Sequence, residues 1–213
     1  MHAVRVGLAA VLGSLTLCAC ELGDPVGGGP VGQDTTVTLL GTPALDGFVG
    51  GNGAVLTSGG GFMGDIASVP NFGFRQFFSF AINTIPPGST VVSATLRLFQ
   101  MGAVGNPFTD LGSVVVDHVD YGTALDALDY AIAPLSIVGT LSSTDVAEYK
   151  QITVTPQVQL DVASTSPRSQ FRLRWSAADF NTDGQSDYVP FVEAGQIGGN
   201  EPMLVVRYRA PAP

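Results

Sequence analysis

The chain has 213 residues, of which 45% are hydrophobic and 13% charged, with a formal net charge of -9. So acidic a balance, with Lys150 as the single lysine, excludes the clustered positive charge that nucleic-acid binding requires. Both cysteines, Cys18 and Cys20, lie near the N-terminus, which excludes a disulfide framework and thiol chemistry in the domain that follows.

The N-terminal segment places His2 and Arg5 before an uncharged apolar run, Val6 to Leu17, and a small residue, Ala19, before Cys20. A basic start, a short apolar core and a small residue are the marks of a secretory signal. The run is too short to span a bilayer, which takes about 20 apolar residues. Leu17-Cys18-Ala19-Cys20 resembles the lipobox of a bacterial lipoprotein signal. That resemblance implies cleavage before Cys20 and acylation of its thiol; Cys18 fits less well behind the bulky Leu17. An ordinary signal cut at the same place is the other reading. The expected organisation is a signal peptide at 1–19, a tether at 20–34 and one domain at 35–210. Glycine and proline dominate the tether, which is too poor in apolar residues to bury a core. The expected location is the outer membrane or cell surface of a diderm bacterium, with membrane attachment through lipid alone.

From Thr35 onward the chain breaks into short segments of period two, separated by Gly, Pro, Asn and Asp. A first strand is expected near Thr36 to Leu40. Gln76, Phe78, Phe80 and Ile82 share one face of a strand, with Arg75, Phe77 and Ser79 on the other. After the turn Pro86-Pro87-Gly88, residues Val92, Ala94, Leu96 and Leu98 alternate against Ser93, Thr95 and Arg97. Val114 to Val119, Ile152 to Val154, Phe171 to Trp175 and Leu204 to Tyr208 repeat the pattern. Such alternation marks half-buried antiparallel strands. The exception is Thr155-Pro156 leading into Gln157 to Ala163, where a threonine cap and an early proline suit a helix. Val158, Leu160 and Val162 also alternate, which leaves a strand open there. The expected fold is all-β, an antiparallel β-sandwich of jelly-roll type with at most one short helix. Its expected core is Phe78, Phe80, Leu96, Leu98, Val154, Leu173 and Leu204.

The run Arg75-Gln76-Phe77-Phe78-Ser79-Phe80, followed by Ile85 to Leu98 with its Val92-Ser93-Ala94-Thr95-Leu96-Arg97-Leu98 strand, resembles the DNRLRE-type domain. Ile152-Thr153-Val154-Thr155 and the closing Glu201-Pro202-Met203-Leu204-Val205-Val206 extend the likeness across residues 45 to 209. Ser79 departs from the acidic residue often found in the family's phenylalanine strand. The resemblance implies a jelly roll related to carbohydrate-binding modules, including modules for acidic polysaccharides such as alginate.

The sharpest local motif is Asp179-Phe180-Asn181-Thr182-Asp183-Gly184-Gln185-Ser186-Asp187. Oxygen side chains stand at its first, third, fifth and ninth positions, with glycine at the sixth. Calcium takes six to eight oxygens, and a loop curling around it offers alternate side chains and a backbone carbonyl. The run resembles the nine-residue calcium loop of FG-GAP repeats and, less closely, an EF-hand loop, whose twelfth position here is Pro190. The expected ligands are Asp179, Asn181, Asp183 and Asp187 by side chain and Gln185 by carbonyl, with calcium as a structural staple. A solvated polar turn is the alternative.

A second acidic cluster, Asp117, Asp120, Asp126 and Asp129, surrounds His118, but Asp117 and His118 fall on opposite faces of one strand and cannot grip a metal together. The motifs of common hydrolases and phosphate-binding loops are absent from the sequence, and the expectation is a non-enzyme. Arg97, Arg172, Arg174, Arg207 and Arg209 take the outward phase of their strands. On one shared sheet they would form a patch whose forks match uronic-acid carboxylates. The other reading pairs them across strands with Asp or Glu. Trp175 has the inward phase, which leaves Phe77 and Tyr149 as the exposed aromatic candidates. The expected function is a glycan-binding module. The alternatives are an assembly subunit of a cell-surface complex and, further off, a polysaccharide-degrading enzyme.

Overall fold

The structure is a computed structural model that describes residues 32–57, 60–69, 71–196 and 198–212. Cys20, the expected signal peptide and most of the expected tether lie outside the described residues. Among the described residues twelve strands form one antiparallel sheet, nine of them along a path that folds back on itself as a sandwich and three (β2, β3 and β9) paired to its sides. One half is β1 (Asp34–Leu40), β12 (Met203–Arg209), β6 (Thr90–Gln100) and β9 (Glu148–Thr153). The other is β2 (Gly47–Gly50) with β3 (Val55–Leu56), then β5 (Phe74–Ala81), β10 (Arg168–Trp175), β7 (Val114–Val119) and β8 (Ser136–Thr140). Two short strands, β4 (Gly61–Gly64) and β11 (Tyr188–Phe191), turn the corner between the halves, through Gly64 opposite Phe74 and Phe191 opposite Gln100.

The alternating apolar residues meet between the halves. Leu96, Leu98, Leu204 and Val206 from one side pack in a single cluster with Phe78, Phe80, Phe171 and Leu173 from the other, and all seven expected core residues belong to it. Such burial contributes about 1.5–3 kcal/mol for each large side chain. Trp175 joins this core, its ring edge-on to Phe108 at 5.6 Å.

The outward faces are less open than alternation implies. A second cluster, Leu45, Val49, Phe77, Val119, Tyr121 and Leu125, covers the outside of β5 and β7. Phe77 is therefore 0% exposed and not a surface aromatic, while Tyr149 is half-buried. The cover comes from the segment after β7, which includes a single 3-10 turn at Ala127–Ala131.

The helix α2 (Thr155–Ala163) forms at the expected place and carries the chain from β9 to β10. Its cap differs from expectation. Val154 is the N-cap residue, and the Thr155 hydroxyl instead accepts the Ala94 amide at 2.8 Å, tying the helix to β6. A single helical turn, α1 (Pro107–Asp110), precedes β7. No helix among the described residues is long and apolar enough to cross a membrane.

Candidate functional site

The segment 179–187 closes one end of the sandwich, between β10 and β11. Asx-type bonds shape it from within: Asn181 Oδ1 accepts the Asp183 amide at 3.0 Å, and Asp183 Oδ1 accepts the Gln185 amide at 2.7 Å. Short polar side chains fold a loop this way because they mimic backbone turns. Gly184 takes a φ of 78°, the left-handed conformation that a side chain disfavours. From outside, Asp65 grips the loop, accepting the Asn181 amide at 2.7 Å and the Asp187 amide at 2.9 Å. A Cβ at Gly105 would collide with the Ser186 carbonyl and the Asp187 carboxylate, so glycine there allows the chain after β6 to lie against the loop.

The five expected calcium ligands do not converge as a set. Asp179 is held by Arg75, with Nη2 at 2.7 Å and Nε at 2.8 Å from Oδ2, and by the Tyr130 hydroxyl at 3.0 Å. Its other oxygen accepts the Trp175 amide at 3.2 Å. Arg75 also stacks on the Tyr130 ring, 4.3 Å from its centroid. Burial, with the Asp179 charge beside it, pushes the Tyr130 hydroxyl up to about 12, so it remains a donor at neutral pH. Asn181 spends its amide on Asp187 Oδ2 at 3.0 Å. The carboxylates that do come together are Asp183, Asp187 and Asp110 at the end of α1, with oxygens within 4.8 Å of one another. Asp110 comes from a separate segment and carries no periodic signal that would single it out in the sequence. These three line an open cavity of about 360 Å³, together with Asn106, Gln185 and Ser186.

Beside this loop lies an aromatic group that alternation did not reveal. Phe62 contacts Phe48 at 4.9 Å, Phe74 at 4.8 Å and Tyr188 at 5.2 Å, and Phe72 contacts Phe74 at 5.4 Å between ring centroids. Met63 and Val189 point into the core, so their neighbours Phe62 and Tyr188 point outward. Phe62, Phe72 and Tyr188 are half-buried. Phe62 and Tyr188 lie on β4 and β11, strands of four residues each and too short to show a clear period, and Phe72 lies in the loop before β5.

The arginines do not form one patch. Arg172 and Arg174 lie on β10, whereas Arg97, Arg207 and Arg209 lie on β6 and β12 in the other half. Asp117, opposite Arg172 across the β10–β7 ladder, receives Arg172 Nη2 at 2.7 Å and Arg174 Nε at 2.8 Å. Arg172 is 2% exposed, covered by the second cluster's loop, and donates to the Ile132 carbonyl at 2.7 Å. Burial pulls its pKa below the usual guanidinium range while Asp117 opposes the shift. Arg207 and Arg209 share Asp34 at 2.6 and 2.9 Å. Arg97 stacks over Tyr149 at 4.8 Å and has no carboxylate partner among the described residues.

The second acidic cluster separates into individual structural roles. Asp126 and Asp129 cap the 3-10 turn reciprocally, and Asp120 Oδ1 accepts the Gly122 amide at 3.0 Å. His118 points away from Asp117 to Asp161 on α2, with Nε2 at 3.0 Å from Oδ2. Ser169 donates to that same carboxylate at 2.6 Å. The carboxylate therefore stands between hydroxyl and imidazole, the reverse of the order that would activate a serine.

No protein-family model matches the chain, and no curated protein matches it.

Proposed function

We propose that this protein is a non-catalytic glycan-binding module, exported and lipid-anchored through Cys20. The observation that carries the reading is the half-buried aromatic group of Phe62, Phe72 and Tyr188, in which Tyr188 directly follows Asp187 of the carboxylate-lined cavity. Sugar rings present flat C–H faces that pack on aromatic rings, while their hydroxyls seek fixed polar groups and hard cations. Calcium held by Asp110, Asp183 and Asp187 would relieve the mutual repulsion of three carboxylates and offer sugar hydroxyls a further partner. The paired arginines support this site less well, because Arg172 and Arg174 are committed to Asp117.

A glycan-array screen of the purified protein, with and without calcium, tests the reading. Binding should fall in Phe62→Ala and Tyr188→Ala while the melting temperature changes little. Absence of binding to every glycan would reject it.

A second reading, an assembly subunit that binds protein, rests on a separate observation. Leu135, Ile137 and Leu160 are each more than 60% exposed, at the edge strand β8 and on α2, and Gln157 on α2 reaches Ser136 at 3.3 Å. Exposed apolar residues beside an open strand edge suit a protein partner. Co-purification with a fixed partner that Ile137→Lys abolishes would favour it.

A further inference from the structure

Five buried side-chain oxygens among the described residues have no hydrogen-bond partner, and three of them belong to neighbouring parts of the fold: Oδ2 of Asp46, Oε1 of Gln76 and Oε1 of Glu193. Their residues are 0%, 0% and 1% exposed. The backbone brings the three residues to one region of the fold. Phe48 stands opposite Gln76 in the β2–β5 ladder, so Asp46, two residues earlier, shares the face on which Gln76 points. Gln76 Nε2 donates to the Phe191 carbonyl at 2.9 Å, which brings it to the chain entering Glu193. A Cβ at Gly61 would collide with both the Gln76 amide nitrogen and Glu193 Oε1. A Cβ at Gly41 would collide with Asp46 Oδ2 and would lie 2.9 Å from the Ala194 Cβ. Two glycines thus clear space around one group of polar atoms where β2, β4, β5 and β11 meet.

Among the described residues no side-chain cation pairs with either acid. The nearby Arg168 reaches Thr42 Oγ1 at 3.4 Å, and the Tyr121 hydroxyl donates to the Leu45 carbonyl at 3.0 Å. Ser79 gives Asp46 Oδ1 an amide hydrogen bond at 2.8 Å. The amides of Ala194 and Thr42 favour the charged form without reaching hydrogen-bond geometry at Oδ2. What remains is three acceptors, two of them on carboxyl groups. Leaving a buried acceptor without a partner is unfavourable, the more so if it is charged. A cation seated among these residues would give such acceptors a partner and offset the charge of the two acids.

We infer that Asp46, Gln76 and Glu193 form a buried oxygen site for a hard divalent cation of the calcium class. Two carboxylates balance its charge, the amide oxygen adds a neutral ligand, and backbone carbonyls or water complete a sphere of flexible geometry. Magnesium suits it less, because it dehydrates reluctantly and demands near-octahedral order. The site is separate from Asp110, Asp183 and Asp187 and independent of the glycan reading.

Purified protein, loaded with calcium and desalted, is assayed for retained metal beside Asp183→Asn, Asp46→Asn with Glu193→Gln, and Gln76→Leu. The Asp183→Asn protein, with its surface set broken, should keep about one calcium per chain and melt lower on chelation. The double variant should keep none beyond the surface set and lose the chelator response of the interior. Gln76→Leu removes a neutral oxygen without touching charge and covers the case in which the double variant does not fold. It should weaken calcium binding by at least about tenfold, a loss typical even of outer-sphere partners. Two results would overturn the inference: an Asp183→Asn protein that retains no metal, or a Gln76→Leu protein with unchanged calcium affinity. Loss of glycan binding in Asp183→Asn with metal retained reports on the loop alone.

Discussion

Asp65 and Asp187 bind each other through their backbones and one side chain. The Asp65 amide donates to the Asp187 carbonyl at 2.9 Å, and Asp65 Oδ1 accepts the Asp187 amide at 2.9 Å. With Oδ2 taking the Asn181 amide, one carboxylate fixes the acidic loop at Asn181 and at its last residue, Asp187. Asp65→Ala removes the acceptor for two amides and should cost about 2–4 kcal/mol in denaturant unfolding. Hydrogen exchange should quicken at Asn181 and Asp187 first. Exchange that stays as slow as in the parent would show the loop is held by other contacts.

Asp117 is the shared anchor of Arg172 and Arg174. Asp117→Asn strips the counter-charge from a buried guanidinium and should destabilise by about 3–5 kcal/mol. Arg174 is more exposed, and Arg174→Ala should cost on the order of 1 kcal/mol. Equal losses in the two variants, measured by chemical denaturation, would contradict this division.

Burial pushes the Asp46 carboxyl up to about 8 and the Glu193 carboxyl up to about 7. In the unfolded chain both titrate near 4. Between these limits the native state holds more protons than the unfolded one, so stability falls as pH rises. Their contribution is fully present below about pH 4 and is lost as pH passes about 7 and then about 8. In chelator, the melting temperature should therefore drop across this window, and Asp46→Asn should flatten the slope. Saturating calcium should oppose the drop, since the metal needs both groups ionised. A calcium-free profile that rises over the same range would exclude protons at these acids.

Cys20→Ser should release the protein from membranes, as read by fractionation, and the native protein should carry acyl mass on its N-terminal fragment. Sedimentation of the serine variant with membranes, beside a native form without acyl mass, would contradict lipid anchoring.

The long strands were legible because each packs one face on a common core, so Phe78, Phe80, Leu96 and Leu98 keep a clean period of two. The period misleads at Phe77 and Arg172, whose outward face is covered by a segment some 45 residues away in sequence for Phe77, from Tyr121 and Leu125. Nothing local encodes that cover. The acidic loop was legible as a motif, but its partners were not. Arg75 claims Asp179 across 104 residues, while Asp65 reaches Asp187 across 122. Sequence spacing records which oxygens a loop offers and leaves out which distant donors occupy them.

The first strand runs antiparallel to the last along its full length, from Asp34 beside Arg209 to Leu40 beside Met203. Arg209 also stands opposite Thr90 at the start of β6, whereas Gln100 at its end meets Phe191, and Val104 just beyond it meets Tyr188, the residue that follows the acidic loop. The chain thus enters at one pole and the loop occupies the other, separated by the length of β6, on the order of 35 Å at about 3.3 Å per residue. A pull between these poles would drag β1 along its own axis. Its hydrogen bonds to β12 would then bear the load side by side, and the strand would resist by shear instead of peeling away one rung at a time.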